Sequence, residues 1–350
     1  MEIIDVIKVF VPATVAFFLG IAITPFISHY LYKHKLWKKK ARNNALGGGK
    51  TPLFYKLHKK KEVGTPRMGG VVIWLSAVTT IIGFLLLAKF YPNSATEKLN
   101  FLSRNQTWLP LFTLITASLV GLFDDFLVIF NRGGYVAGGL PLSFRIATVL
   151  GIGAVGAWWF FAKLGVSVIN IPFFGELSLG IFFIPFFMFV MLALFSGGII
   201  DGIDGLAGGT LAAAFAAYAG IAFFQSQIDL AAFSAVIVGG ILAFLWFNIP
   251  PARFFMSETG ILGLTTTLAV VAFLTQAVVV LPLIAFLLFA APASVIIQIT
   301  SKKLFNRKVF LIAPIHHHFE ALGWPPYKVT MRFWILSGVL AILGMVIALI

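Results

Sequence analysis

Three short acidic stretches lie at the ends of long apolar runs: Asp124 and Asp125 in VGLFDDFLVI, Asp201 and Asp204 in GGIIDGIDGLAGG, and Glu258 in FFMSETGIL. A charged group near hydrocarbon depth is costly, so each reads first as functional. Carboxylates in a chain without cysteine suit a hard divalent cation, Mg²⁺ with Mn²⁺ as a substitute, rather than zinc or copper. Mg²⁺ usually takes one or two carboxylates plus substrate phosphates and keeps several waters. The predicted chemistry is phosphoryl transfer, where a protein chiefly positions groups and stabilises charge. Asp201 and Asp204 are three apart, so a helical turn puts both on one face, and the neighbouring glycines let backbone approach a ligand. Asp124 and Asp125 point different ways, one towards a metal or attacking phosphate and the other anchoring its loop. The plainer alternative, acids that only cap helices or pair with Lys and Arg, is weakened because three separate segments deliver them to one membrane face.

The histidines His316, His317 and His318 in LIAPIHHHFEALGWPP invite a metal-cage reading. Adjacent residues on a helix point about 100° apart, so three in a row do not share one face. In KKKEVGTPRMGG, Lys61 and Thr65 belong to a cationic rim that suits a diphosphate, although Pro66 also fits a plain helix start. Asn248 in FLWFNIPPARFFMSETG stands at a span end, where its amide either bonds a sugar or base or satisfies the helix end.

These groups need a scaffold, and composition names it. Of 350 residues, 60% are hydrophobic and 11% charged, against roughly 25% charged in soluble domains. Apolar runs near the 20 residues that cross a bilayer recur throughout. The expectation is an all-α polytopic membrane protein, one domain over 1–350, because helices satisfy their own backbone in lipid; the short alternating segments of a barrel are absent. Ten spans fit, at about 9–32, 69–90, 108–130, 143–165, 179–199, 206–226, 230–248, 261–280, 281–301 and 332–350, the eighth and ninth nearly touching at VVVLPL. The first reads as a retained span rather than a signal peptide. Net charge is +14, yet 12 of the 26 Lys and Arg fall in 33–67. Such a block marks a cytoplasmic loop in contact with membrane lipids, not a nucleic-acid surface. The segment 302–331, with the histidines, is then a second cytoplasmic loop, and both termini lie outside, on the periplasmic face.

The segments GTPRMGG, GLFDDF, DGIDGLAGG, FLWFNIPPARFFMSETG and APIHHHFEALGWPPYKVTMRFWI together resemble the phospho-N-acetylmuramoyl-pentapeptide-transferases. These are a branch of the polyprenyl-phosphate N-acetylhexosamine-1-phosphate transferase family, and the chain looks like a divergent member from about residue 24 onward. The resemblance implies a bacterial inner-membrane enzyme that works on the cytoplasmic face with Mg²⁺, joining UDP-N-acetylmuramoyl-pentapeptide to undecaprenyl phosphate to give lipid I and UMP. A homodimer is compatible with it. By position it implies that Asp124 and Asp125 handle the lipid phosphate, that Asp201 and Asp204 lie near nucleotide and metal, and that His316, His317 and His318 contact the donor's diphosphate-sugar region.

The pattern departs from the family at four places. Glu258 in SETG stands where a metal-binding Asp is expected in GDTG, Gly198 where Asn is expected, and Arg145 where a substrate-facing Lys is expected. Lys61 lies one residue further from Gly64 than usual. Asp201 and Glu258 remain the expected metal ligands. Other readings are a sister enzyme that uses another donor such as UDP-N-acetylglucosamine, a flippase or transporter, whose polar groups would sit nearer the midplane, and an inactive scaffold.

Overall fold

The computed structural model describes residues 2–39, 63–103, 106–132 and 138–350. Among these, ten helical stretches are long and apolar enough to cross a membrane: Ile3–Lys33, Val71–Phe90, Trp108–Phe130, Leu142–Lys163, Gly180–Ile200, Leu206–Phe224, Ile228–Asn248, Ser257–Leu274, Phe286–Phe305 and Pro326–Ala348. The expected all-α polytopic architecture therefore holds.

We label the α-helices α1 (Ile3–Lys33), α2 (Val71–Phe90), α3 (Ser94–Leu99), α4 (Trp108–Phe130), α5 (Leu142–Trp158), α6 (Phe183–Ser196), α7 (Leu206–Phe224), α8 (Ile228–Asn248), α9 (Ser257–Leu274), α10 (Leu281–Ile284), α11 (Phe286–Phe305), α12 (Ile315–Ala321) and α13 (Pro326–Ala348). Apolar composition all around a helix means burial on every side or lipid on some, and the packing separates the two cases. In α9, 89% of the most apolar window is buried, against 22% in α1 and α13, so α9 is the axis and α1 and α13 face lipid. The buried threonines of α9 cost little there because Thr265 and Thr266 donate to the Ile261 and Leu262 carbonyls at 2.8 and 2.7 Å, within their own helix.

The contact that positions the site is α4 against α9. A Cβ on Gly121 would collide with the Glu258 carbonyl, so only glycine lets the two backbones meet there, the small-residue packing common in membranes. That approach sets Asp124 and Asp125 beside the first turn of α9.

Three sequence expectations change. The eighth and ninth spans, expected at 261–280 and 281–301, are Ser257–Leu274 and Phe286–Phe305, because left-handed Gln276 (φ 52°) and Pro282 in the first turn of α10 divide the run. The segment 302–331 is not a continuous loop: α11 runs to Phe305 and the histidines lie on α12. Where α5 ends, a π-helical turn Trp159–Lys163 leads into a hairpin, β1 Val168–Ile171 antiparallel to β2 Gly175–Ser178, with Val168 opposite Ser178. Its burial pattern is too short to register as a strand signal. The hairpin precedes α6, so it lies at the end of the bundle opposite Asp201.

Candidate active site

Asp124 and Asp125 are in α4 rather than on a loop, both are buried, and neither presents a bare carboxylate. Asp125 Oδ1 accepts from Arg67 Nε at 3.0 Å and Nη2 at 2.9 Å. Its Oδ2 accepts from the Thr259 amide at 3.0 Å and hydroxyl at 2.6 Å. Asp124 Oδ1 accepts from the Leu140 amide at 2.6 Å and Oδ2 from Arg145 Nη2 at 2.9 Å. The other arm of Arg145 reaches Glu258 Oε1 at 2.7 Å. A fork that bridges two carboxylates is geometry a guanidinium provides and an ammonium does not. Arg145 was expected at the substrate; here it ties α4 to α9. Two of the departures from the family pattern, Arg145 and Glu258, are thus in direct contact.

Arg67 carried no role in the sequence reading. The segment around it pairs with the approach to α9: Phe255 N donates to Pro66 O at 2.9 Å, Gly69 N to Phe255 O at 2.8 Å and Gly70 N to Met256 O at 3.1 Å. Burial works against the Arg67 charge, but Asp125, then Glu258 and Asp201, more than offset it and hold its pKa above the ordinary value. The signal that could have found it is the demand of a buried acid pair for a buried cation. Thr65 lies half-buried two residues before it, and Lys61 lies outside the described residues.

Asp201 and Asp204 are not on a helical face. They occupy a turn between the 3₁₀ segment Gly197–Ile200 and α7, and their side chains separate. Asp201 Oδ2 accepts from the Ser257 amide at 2.8 Å, and Asp204 Oδ2 from the Ala252 amide at 3.3 Å. Burial pushes the Asp201 carboxyl up to about 6, against the pull of the Ser257 bond and Arg67, with Asp125 and Asp204 adding to the rise. Asn248, expected at a sugar or base, clamps this turn: its Oδ1 accepts from Gly205 N at 2.9 Å and its Nδ2 donates to Phe254 O at 2.7 Å. Thr330 and Trp334 of α13 brace the turn by donating to the Asp204 and Gly205 carbonyls, each at 3.0 Å.

The histidine helix closes the site. His316 and His317 are buried with ring centroids 4.3 Å apart, and both Nε2 atoms face Gly202: a Cβ there would lie 2.7 and 2.8 Å from them. Glycine at 202 is required by that approach. His317 Nδ1 lies 2.6 Å from Glu320 Oε2, a partner that fixes ring orientation. His318 turns away, its Nδ1 accepting from Leu311 N at 3.2 Å. The three imidazoles therefore divide two and one.

Ser257, which precedes Glu258, has φ +59°. Left-handed backbone is costly for a residue with a Cβ, and a glycine is expected here by the family resemblance. Its hydroxyl is buried with no hydrogen-bond partner among the described residues.

No three His, Asp or Glu side chains among the described residues come together as a metal cage. Asp201 and Glu258, joined through Ser257, each keep one oxygen without a hydrogen-bond donor among the described residues. That pair fits an ion that completes its shell with phosphate oxygens and water, and not one enclosed by protein alone.

Residues 107–276 match the family described as glycosyl transferase family 4, a stretch that holds both acid pairs and Glu258 but neither Arg67 nor the histidines. The chain is 35% identical over 296 residues to a phospho-N-acetylmuramoyl-pentapeptide-transferase of Anoxybacillus flavithermus, covering 83% of this chain and 86% of that one. It is 36% identical over 295 residues to one of Geobacillus sp. and 35% identical over 295 residues to one of Bacillus subtilis, with the same shares covered.

Proposed function

Because the chain belongs to the phospho-N-acetylmuramoyl-pentapeptide-transferase family, we propose that it moves phospho-N-acetylmuramoyl-pentapeptide from its UDP conjugate to undecaprenyl phosphate, giving lipid I and UMP. It is a multi-pass bacterial membrane protein and a transferase of peptidoglycan synthesis. Its site faces the cytoplasm, a reading supported by the basic residues of 33–67 and 302–331, which the positive-inside rule puts on that side.

An oxygen of the acceptor phosphate bonds to the phosphorus that carries the sugar. The bridging P–O bond to UMP breaks and its electron pair leaves with UMP. From a dianionic acceptor no proton is removed, so the main demand is to hold several phosphate charges together. Asp201 and Glu258 would hold Mg²⁺, which when bound would supply charge neutralisation at the diphosphate. His316 and His317 present Nε2 beside the Gly202 turn; with Nδ1–H given to Glu320, His317 donates from Nε2 to a phosphate oxygen as the imidazolium. Asp204 and Asn248 hold that turn in shape, and Thr65 belongs to the substrate-facing rim. Asp124 and Asp125, each held by an arginine, keep Arg145 and Arg67 oriented as fixed positive charge near the acceptor phosphate.

The observation that carries this reading is the gathering of carboxylates from α4, the 201–204 turn and α9 around Arg67 and Arg145 at one end of the bundle. The test is UMP release by detergent-solubilised protein given both substrates, with and without Mg²⁺. Turnover with UDP-N-acetylglucosamine and none with the muramoyl donor would assign a sister reaction; UMP release undiminished by EDTA would remove the metal.

A further inference from the structure

Beyond the transferase site, the C-terminal end of α11 and the turn that follows it carry four exposed cations, Lys302, Lys303, Arg307 and Lys308. No carboxylate among the described residues pairs with any of them. At Asn306 the chain takes a left-handed turn (φ 52°) and folds back on the helix, leaving an open surface cleft of about 470 Å³ lined by Ser301, Phe305, Arg307, Lys308 and Val309.

The fold-back is rigidly held. Gln298, 7% exposed, accepts from Val309 N at 3.0 Å and Phe310 N at 2.9 Å and donates to Phe310 O at 2.8 Å. The Ser301 hydroxyl donates to Arg307 O at 3.0 Å. A buried side chain with three loop bonds is a built feature, since unbonded it would leave a buried amide unsatisfied.

Beside the cations stand exposed Leu304 (67%), Phe305 (68%) and Val309 (54%). Uncompensated positive charge on apolar surface at a helix end matches an amphiphilic anion better than a soluble one. We propose that this cleft binds the phosphodiester headgroup of a resident anionic phospholipid, with its acyl chains along Leu304, Phe305 and Val309. The lipid is distinct from the polyprenyl acceptor, whose phosphate must reach the carboxylates: none of the five lining residues bonds to a residue of the acid cluster.

The test is native mass spectrometry of the delipidated full-length protein with phosphatidylglycerol or phosphatidylcholine of matched chains. Wild type retains phosphatidylglycerol preferentially. R307Q/K308Q weakens that retention about 25-fold, from roughly fivefold per basic side chain, whereas R307K/K308R, which keeps the charge, retains it, as does K163Q at the other end of the bundle. Equal unfolding temperatures without lipid show that the variants fold. Equal retention of both lipids by wild type, or undiminished phosphatidylglycerol binding by R307Q/K308Q, overturns the proposal. So does displacement by stoichiometric polyprenyl phosphate, which would make the cleft the acceptor's, or by millimolar inorganic phosphate, which would make it a plain anion site. The readout needs no turnover, so failure of the transferase reading leaves it intact.

Discussion

The contact between Arg145 and Glu258 makes a quantitative demand. Arg145 is bonded at 2.7 Å to Glu258 and 2.9 Å to Asp124, with side-chain exposures of 12, 24 and 2%. Glu258→Asp withdraws the carboxylate by about one C–C bond, ~1.5 Å, which opens the Arg145 contact beyond hydrogen-bond length. Arg145→Lys leaves one ammonium where a fork bridged two acids. Each single change should destabilise by about 1–2 kcal/mol, less than the 3–5 kcal/mol of a fully buried pair because Glu258 is partly exposed. In the double variant the Arg145–Glu258 bond is already gone, so the effects should fall short of additive by about 1 kcal/mol or more. The assay is a double-mutant cycle of unfolding free energy in one detergent, run beside UMP release against Mg²⁺ concentration. In the latter, Glu258→Asp should keep or improve turnover if Glu258 holds the ion. Additivity within about 0.4 kcal/mol would refute the idea that these two departures compensate one another.

Ser257→Gly should stabilise the protein by about 1 kcal/mol, since it relieves the left-handed φ and removes a buried unpartnered hydroxyl; a lower unfolding temperature would contradict this. Asp125→Asn leaves the Arg67 guanidinium without its anion and should cost about 3 kcal/mol of stability as well as activity, so loss of turnover at wild-type stability would show that the pair carries no structural load. Asp201, with its carboxyl raised to about 6 from an unfolded value of 3.8, favours the folded state most when protonated. Metal-free protein in EDTA should therefore lose stability as pH rises from about 4 to 6, and Asp201→Asn should abolish that slope; an unchanged slope would place the titration elsewhere. Glu320→Gln should lower turnover at least tenfold by loosening His317, and unchanged turnover would remove Glu320 from the site.

The spans were legible because lipid imposes a length and a composition on any chain that crosses it, and both are written residue by residue. The acid motifs stood out for the same reason: charge is rare in such a chain, so Asp124, Asp125, Asp201, Asp204 and Glu258 were conspicuous. Arg67 was not, because within a basic stretch its single positive charge looks like its neighbours' until Asp125 is seen against it. The segment between the spans at 179–199 and 206–226 was legible, but the three-residue spacing of Asp201 and Asp204 suggested one shared face, and only the Ser257 and Ala252 amides show that the side chains separate.

What the residues alone determined is therefore a membrane helix bundle with a surplus of carboxylates on one face, since hydropathy and charge are local properties. Which carboxylate meets which cation was decided by tertiary packing: the glycine-permitted approach of α4 to α9 and the pairing of residues 66–70 with 255–256 join groups more than a hundred positions apart. The division of the histidines, two onto Gly202 and one onto Leu311, arises in the same way. No spacing rule reaches across such distances, because side-chain direction at a site depends on how separate helices are placed relative to one another.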